Sequence, residues 1–292
     1  MLFDKNKFEF SVFSFFVRLV HKIGTQKIKY LAKILAFIFY YVLRLRLKVV
    51  KKNLAIAFPY FDKEKINKIA FSNYYNIALT FLDAMFIPKM TKEELINSVN
   101  IINNEVLIDA YNQKKGVFLL TAHFGNWEIG AASVGARMNI PINVLAKPQR
   151  NKLVSNWMDK MRSSFGNKVI LLGANVKEIY KAIYNKEIVG VVGDQRGPKE
   201  NGVRVNLFGH STSTYPGTAA IAIKLKAKLI TAMVYRKNDF KYDCVFEEIK
   251  LPETEDIDVA IKEINQKYMN ILEKFVTLYP EQWFWMHNIW KY

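Results

Sequence analysis

The strongest constraint on the fold is an alternation of short β-rich runs with helical stretches between residues 117 and 249. The β-rich runs are Val117–Ala122, Ile142–Ala146, Lys168–Leu172, Ile188–Gly193, Leu229–Tyr235 and Tyr242–Ile249. The helical stretches among them are Trp127–Met138, Asn151–Phe165, Val176–Asn185 and Pro216–Lys226. Strands that alternate with helices form parallel sheets, because each helix carries the chain back to the edge where the previous strand began. The pattern therefore predicts an α/β fold with a mostly parallel central sheet flanked by helices.

Helical patterns dominate the sequence outside this region. From Asn53 to about Ile87 apolar residues recur at intervals of three or four, and Pro88 is expected to end the helix. The segment Ile257–Leu278 carries one apolar stripe and predicts a final amphipathic helix. A chain of 292 residues with no internal repeat and no linker rich in Gly, Ser or Pro favours one large fold without a clear internal boundary.

The composition excludes several classes of protein. Apolar residues make up 51% of the chain and aromatic residues 14%, which is too much for a disordered protein. Cys244 is the single cysteine, which excludes an intramolecular disulfide and a cysteine-built metal site and favours a reducing cytoplasm. The histidines lack zinc-site spacing, and neither a Walker A loop nor a Gly-x-Gly-x-x-Gly turn is present. We therefore expect no metal and no bound cofactor.

Positive charge is concentrated in the first sixty residues. They contain twelve Lys and Arg against two acidic residues, a net +10 of the formal +17. Such an excess implies a polyanionic partner, which can be nucleic acid, an anionic lipid surface or an acidic carrier protein. Two aromatic apolar runs in this stretch, Phe8–Val17 and Ile34–Leu43, are each followed directly by an arginine. Cations beside aromatic residues favour the lipid surface.

These two runs are short for a membrane span. A spanning helix needs about 20 apolar residues, whereas Ile34–Leu43 provides ten before Arg44. We therefore interpret residues 8–50 as helical segments that lie in, or dip into, a membrane interface, and residues 1–50 as a membrane-associated helical region. A single tilted span and helices that pack on the chain's own core are the two alternatives.

The first β-rich run ends next to a histidine. His123 follows the run directly, and Gly125–Asn126 are turn-forming residues. Glu128 lies in the first turn of the helix predicted from Trp127. On one continuous helix, the side chains of His123 and Glu128 would point about 140° apart. A strand, a turn and a helix can instead bring them together at the carboxyl edge of the sheet. Open α/β sheets bind ligands at this edge. A carboxylate that orients an imidazole makes the other ring nitrogen a general base for a hydroxyl group.

Five sequence blocks together resemble one protein family. They are RLKVVKKNLAIAFP from Arg46, TAHFGNWEI from Thr121, KPQRN from Lys147 with Arg162 fifteen residues later, GDQRGPKENGVRVNLFGHSTSTYPG from Gly193, and PEQWFWMHNIWK from Pro280. Across roughly residues 40–292 they resemble the lipid A biosynthesis (late, lauroyl/myristoyl-type) acyltransferase family of the lysophospholipid acyltransferase superfamily. Lys147, Leu207 and Ile289 depart from that pattern, in which Arg, Phe and a basic residue are usual at these places.

The resemblance implies a membrane-associated O-acyltransferase, with residues 51–292 as the acyltransferase domain. The enzyme would transfer a fatty acyl chain from acyl–acyl carrier protein to a hydroxyl of a lipid A precursor, at the cytoplasmic face of a bacterial inner membrane and without a cofactor. His123 would be the general base, and Glu128 would hold its ring. The expected substrate-binding residues, facing the phosphorylated glycolipid acceptor, are Asn126, Lys147, Arg162, Asp194, Gln195 and Arg196.

Other interpretations stay open at this point. Within the same superfamily, the acceptor could be a lysophospholipid or another glycolipid, and the donor could be acyl-CoA. A different class, a non-catalytic basic protein that binds membrane or nucleic acid, is disfavoured by the five blocks, and we expect no nucleic-acid partner. Asp194 could also form only a surface ion pair, with Arg162 or Arg196, of little energetic value.

Overall fold

A computed structural model describes residues 4–173 and 176–291 of the chain. The first three residues of the predicted N-terminal region, and Tyr292 at the end of the predicted acyltransferase domain, lie outside the described residues. The helices are α1 (Lys5–Ile23), α2 (Ile28–Phe37), α3 (Leu47–Ala57), α4 (Lys63–Ala84), α5 (Lys92–Ser98), α6 (Asn104–Asn112), α7 (Trp127–Met138), α8 (Lys152–Ser163), α9 (Val176–Tyr184), α10 (Gly217–Leu225) and α11 (Ile257–Leu278). The strands are β1 (Val99–Ile102), β2 (Val117–Thr121), β3 (Ile142–Ala146), β4 (Lys168–Leu171), β5 (Ile188–Val192), β6 (Val203–Leu207), β7 (His210–Thr214), β8 (Lys228–Asn238) and β9 (Lys241–Ile249).

Within the described residues, seven strands form one sheet in the order β1-β9-β8-β2-β5-β3-β4. Neighbouring strands are parallel, except for β8 and β9, which are antiparallel. The prediction of a mostly parallel sheet flanked by helices is thus confirmed. β6 and β7 form a separate antiparallel pair. Together with β1 they were missing from the sequence prediction, because polar residues interrupt their sequences VNII, VRVNL and HSTST, so that each depends on its partner strand rather than on a continuous apolar run.

The central strand β2 is buried on both faces of the sheet. Its residues Phe118 and Leu120 join the apolar cluster that contains α11, whereas Val117 and Leu119 join the cluster that contains α7. Successive side chains of a strand point to opposite faces, so a strand covered on both sides must be apolar throughout. This double burial holds the carboxyl end of β2, where His123 follows, in a fixed place.

The helix predicted from Asn53 to Ile87 is two helices. α3 ends at Ala57, and α4 begins after Asp62, whose carboxylate accepts a hydrogen bond of 2.7 Å from the Lys65 backbone N–H. An aspartate in this position satisfies a free N–H group of the first helical turn, so it favours a new helix start. In the segment that connects the two helices, Phe58 is buried and stacks on Phe61, with the ring centroids 4.8 Å apart.

The N-terminal helices pack on the body of the protein through one side. Val20 of α1 and Ala32 of α2 are buried in a cluster with Leu79 and Leu82 of α4. A single π-helical turn, Ile38–Val42, continues α2. In the part of the chain that the structure describes, no helix combines the length and the hydrophobicity needed to cross a bilayer.

Candidate active site

The turn after β2 places His123 at the carboxyl edge of the sheet, as predicted. Gly125 has a φ of +56°, and a Cβ atom there would lie 2.0 Å from the carbonyl oxygen of Val234, so only glycine fits the turn. Asn126 then begins α7: its Oδ1 accepts a hydrogen bond of 3.2 Å from the Ile129 backbone N–H. Its amide nitrogen also donates to the Tyr242 hydroxyl oxygen over 3.2 Å. The turn is thereby fixed to the neighbouring strands.

The imidazole of His123 is paired with Asp194. Its Nδ1 lies 2.7 Å from Oδ1 of Asp194, and the His123 backbone N–H donates to Oδ2 of the same carboxylate over 3.0 Å. Asp194 follows β5, which pairs with β2, so adjacent parallel strands deliver the two residues to the same edge. The Asp194 side chain is 3% exposed and the His123 side chain 23%. In a neutral ring, a proton on Nδ1 leaves Nε2 as the acceptor.

The electrostatics of this pair favour the charged forms of both groups. Burial lowers the pKa of His123, but the charge of Asp194, its hydrogen bond and the charge of Glu128 outweigh that effect and raise the pKa above 6.5. Burial likewise raises the pKa of Asp194, but the charge of His123 and hydrogen bonds from His123 and Trp283 outweigh it and leave the pKa below its usual value. Asp194 is therefore ionised at neutral pH and holds a ring that readily takes up a proton.

The expected hydrogen bond between Glu128 and the His123 ring is not formed. Glu128 lies at the start of α7 and is bound from the other side by Arg162 of α8, whose Nε is 3.0 Å from Oε2 and whose Nη2 is 2.6 Å from Oε1. Both side chains are mostly buried. The physical reason is that the adjacent strand places Asp194 against the ring, while α8 presents a fork-shaped cation that satisfies both Glu128 oxygens. Glu128 therefore acts on His123 through its charge rather than by direct contact.

The other predicted substrate-binding residues differ in their placement. Lys147, directly after β3, and Gln195, beside Asp194, are exposed at the carboxyl edge. Arg196 is half-buried: its backbone N–H donates to Nε2 of His287, and its Nη1 donates to the Asn288 carbonyl oxygen over 2.6 Å.

Asn126 and Arg162 make internal contacts, as a helix cap and as the partner of Glu128 respectively. The alternative of a surface ion pair for Asp194 is wrong, because its carboxylate is buried against His123. Five residues of the predicted set thus lie at one edge of the sheet: His123, Lys147, Asp194, Gln195 and Arg196.

A buried polar network, which was not predicted from the sequence, lies behind the turn. Asp83 of α4 accepts hydrogen bonds from Nη1 of Arg236, over 2.6 Å, and from the hydroxyl of Tyr242, over 2.5 Å. The same Tyr242 hydroxyl oxygen accepts from Asn126, so the network reaches the first residue of the α7 cap. The signal in the sequence was an aspartate within the apolar end of a helix, FLDAMF, because a charge is buried only when it is paired.

This edge of the sheet can perform general-base chemistry on a hydroxyl group. A histidine whose Nδ1 is fixed by an ionised carboxylate presents Nε2 to a substrate and stabilises the imidazolium that forms. Among the described residues, no group of three or more His, Cys, Asp or Glu side chains is arranged to hold a metal ion.

Comparison with known proteins gives the family context of this site. Residues 5–292 match the family described as bacterial lipid A biosynthesis acyltransferase. The chain is 26% identical over 248 residues to the lipid A biosynthesis lauroyltransferase of Escherichia coli (strain K12), covering 84% of this chain and 79% of that protein. It is 25% identical over 256 residues to the lipid A biosynthesis palmitoleoyltransferase of the same organism, covering 85% and 80%. It is 23% identical over 214 residues to the phosphatidylinositol mannoside acyltransferase of Mycolicibacterium smegmatis, covering 71% and 67%.

The match spans nearly the whole chain, from the N-terminal helices to the tail that carries Trp283. It includes the turn with His123 and the strand end with Asp194. The relatives named above all transfer acyl groups. The chain is therefore an acyltransferase and belongs to the bacterial lipid A biosynthesis acyltransferase family.

Proposed function

We propose that this enzyme transfers a fatty acyl chain from acyl–acyl carrier protein to a hydroxyl of a phosphorylated lipid A precursor. The observation that carries the proposal is the 2.7 Å contact between Nδ1 of His123 and Asp194 at the carboxyl edge of the sheet. The names of the E. coli relatives support lipid A as the acceptor class. An acidic carrier protein as donor agrees with the formal charge of +17.

The reaction needs one base and a stabilised cation. Nε2 of His123 accepts the proton of the acceptor hydroxyl while its oxygen attacks the thioester carbonyl carbon. The carbon–sulfur bond then breaks, and the departing thiolate accepts this proton from the imidazolium. Asp194 stays ionised throughout and stabilises the imidazolium, since hydrogen bonds and the charge of His123 keep its pKa low.

The polar and positively charged side chains near this edge of the sheet have different roles in acceptor binding. Lys147 is exposed after β3 and meets a phosphate of the acceptor, and Gln195 beside Asp194 orients its sugar. Arg196 donates to the Asn288 carbonyl oxygen and adds charge at the same edge. Arg162 contributes through the position of Glu128, because its Nε and Nη2 are both engaged there.

The enzyme works at the cytoplasmic face of a bacterial inner membrane, with residues 1–50 as the membrane-associated region and 51–292 as the acyltransferase domain. Exposed apolar stripes on the N-terminal helices support this location. Their members recur at intervals of four, three and four residues: Phe8, Val12, Phe15 and Leu19, then Tyr30, Ile34, Phe37 and Tyr41. Such intervals keep side chains on one face of a helix. Exposed cations such as Lys22 and Lys33 lie beside these stripes, as in helices that rest in an anionic interface.

The test is an acyl-transfer assay with purified full-length protein. The donors are lauroyl- and palmitoleoyl-acyl carrier protein and the matching acyl-CoA thioesters. The acceptors are a phosphorylated lipid A precursor, its dephosphorylated form, a lysophospholipid and a phosphatidylinositol mannoside, with product masses as the readout. We expect product from the carrier-protein donor and the phosphorylated precursor, and a loss of about 10²- to 10⁴-fold in rate for His123→Ala.

Transfer to the lysophospholipid, or only from acyl-CoA, would replace this proposal by the alternatives within the superfamily. The mycobacterial relative gives the phosphatidylinositol mannoside its place in the panel. Near-normal turnover of His123→Ala, with a product that matches the wild-type mass, would refute the role of His123.

A further inference from the structure

The C-terminal tail, residues 280–291, is paired directly with the turn that carries His123. The Gly125 backbone N–H donates to the Gln282 carbonyl oxygen over 3.0 Å, and the Phe284 backbone N–H donates to the His123 carbonyl oxygen over 3.0 Å. Phe124 and Trp283 face each other in an antiparallel bridge between these two bonds. Residues 282–284 of the tail therefore pair with the chain segment directly after β2, next to His123.

Trp283 contributes a side-chain contact to the pair at this point. Its indole Nε1 donates to Oδ2 of Asp194 over 2.8 Å, and the side chain is buried. Oδ2 also accepts the His123 backbone N–H, whereas Oδ1 faces the His123 ring. The carboxylate is thus held at both oxygens. A rotation of the carboxylate would therefore break the two hydrogen bonds at Oδ2 together with the contact between Oδ1 and the His123 ring.

Two buried asparagines on separate helices hold the tail in place. Nδ2 of Asn73 in α4 donates to the carbonyl oxygens of Glu281 and Trp283, over 3.0 and 2.6 Å. Nδ2 of Asn53 in α3 donates to the carbonyl oxygens of Trp285 and His287, over 2.8 and 2.7 Å. Both residues lie in helices that precede the catalytic turn in the chain. Their amides fix the backbone on either side of the indole, which therefore keeps its aim at Asp194.

We infer that Trp283 is a positioning residue of the acyl-transfer site, whose indole N–H fixes the Asp194 carboxylate in the orientation that holds the His123 ring. The inference rests on the proposed function for its kinetic consequences and on the geometry for its structural ones. It assigns a specific task to the tail, because the Trp283 indole N–H donates to Asp194 rather than to the His123 ring.

The inference predicts a change in how His123 titrates. The indole bond draws negative charge from Asp194, so its removal leaves a carboxylate that attracts the imidazolium more strongly and raises the pKa of His123. The charge of Glu128 also raises the pKa of His123, and the charge of Asp194 raises the pKa of His287 and of Tyr268. None of these three residues is substituted in the experiment. A loss of packing alone would lower stability without moving this titration.

The experiment compares Trp283→Phe with Trp285→Phe in the full-length enzyme. Trp285 is a matched control, since it is also buried and its indole also donates one hydrogen bond, but to the Pro280 carbonyl oxygen. For Trp283→Phe we expect kcat to fall by about 10- to 100-fold with KM changed by less than about threefold. The acid limb of the kcat/KM profile should move up by about half a pH unit or more. Trp285→Phe should leave the acid limb in place.

A second substitution keeps the shape of the side chain. β-(3-Benzothienyl)alanine at position 283 has a sulfur atom in place of the indole N–H, so it removes the donor without creating a cavity. The pKa of His123 is then read by ¹⁵N NMR of the ring nitrogens, without substrate, with the same replacement at position 285 as the control. We expect the pKa to rise only for the replacement at position 283.

The outcomes separate the inference from the proposed function. An unchanged His123 pKa, or equal shifts for positions 283 and 285, overturns the positioning role whether or not the enzyme is active. A shifted pKa in an enzyme that acylates none of the acceptors supports the positioning role and refutes the proposed function. Equal kinetic losses for the two Phe variants with an unmoved acid limb assign Trp283 a structural role only.

Discussion

At the level of single residues, the proposed mechanism depends on which carboxylate contacts His123. Asp194 is almost fully buried and binds the ring and the backbone of His123 together, whereas both oxygens of Glu128 are hydrogen-bonded to Arg162. A buried carboxylate that is already satisfied by a cation has little to offer a second partner. We therefore expect different roles for Asp194 and Glu128, although both lie near His123.

The first prediction concerns pH. A general base works only when neutral, and the pKa of His123 is raised above 6.5 by Asp194 and Glu128 against the opposing effect of burial. kcat/KM should therefore be low in acid, rise with pH through a midpoint above 6.5 and then level off. Asp194 adds no step in the neutral range, because its pKa is lowered. A midpoint below 6.5 in the measured pH profile would contradict the orientation of His123 by Asp194.

The second prediction separates the two carboxylates. Asp194→Asn should lower kcat by about 10³- to 10⁴-fold, because an amide neither stabilises the imidazolium nor enforces the ring tautomer. Glu128→Gln should retain more activity and instead lower the free energy of unfolding by roughly 2–4 kcal/mol, since the mostly buried Arg162 loses the anion 2.6 Å away and keeps Asp159 at 3.9 Å. Steady-state kinetics and urea unfolding on both variants check this. If Glu128→Gln is inactive but fully stable, Glu128 has the catalytic role that the sequence first indicated.

At the scale of elements, α4 supports the site from behind. It supplies Asp83 to the network under the turn and Asn73 to the tail. These contacts join residues about 150 to 210 positions apart, so the helix connects β8, the tail and the α7 cap. Removing one such polar group leaves its buried partners without hydrogen bonds, which costs more than the bond itself contributes.

The third prediction tests this support. Asn73→Ala should lower the free energy of unfolding by about 2–4 kcal/mol, because the buried carbonyl oxygen of Trp283 and the partly buried one of Glu281 lose their donor. Asn76→Ala is the matched control in the same helix, where the amide donates to the Ser72 carbonyl oxygen one turn before it. The control should cost less than about 1 kcal/mol. Equal unfolding free energies for the two variants, measured in urea, would show that Asn73 does not hold the tail.

At the scale of the whole molecule, charge and exposed apolar surface coincide at the N-terminus. Residues 1–60 carry a net +10, and the exposed stripes of α1 and α2 lie in the same region. Deleting these helices would also uncover buried contacts such as Val20 and Ala32 with α4. Substitutions on the exposed stripes are therefore the sharper test of membrane contact.

The fourth prediction uses such substitutions. The double variant Phe15→Glu, Phe37→Glu should co-sediment less with vesicles of phosphatidylglycerol and phosphatidylethanolamine than the wild type, since it places charge in the apolar face of the interface. Tyr184→Glu, at an exposed site on α9, is the control and should bind as the wild type does. High salt should release the wild type only partly, because salt screens the cations but leaves apolar burial. Undiminished sedimentation of the double variant would place the membrane-contacting surface elsewhere.

Elements with a local pattern of apolar residues were predictable from the sequence. β3 at Ile142–Ala146, α7 at Trp127–Met138 and α11 at Ile257–Leu278 have the predicted bounds, because the periods of apolar side chains in strands and helices are properties of a few neighbouring residues. The position of His123 after β2 followed in the same way, since a strand end and a turn residue are both visible in the chain.

The partners of His123, in contrast, depend on the packing of distant parts of the chain. Asp194 lies 71 positions away and arrives because β5 pairs with β2, and Trp283 arrives 89 positions beyond Asp194 through the tail. Glu128, five residues from His123, was the closer candidate in sequence, yet α8 turned it toward Arg162. Strand order and helix packing result from burying apolar surface across the whole chain, so no local pattern contains them.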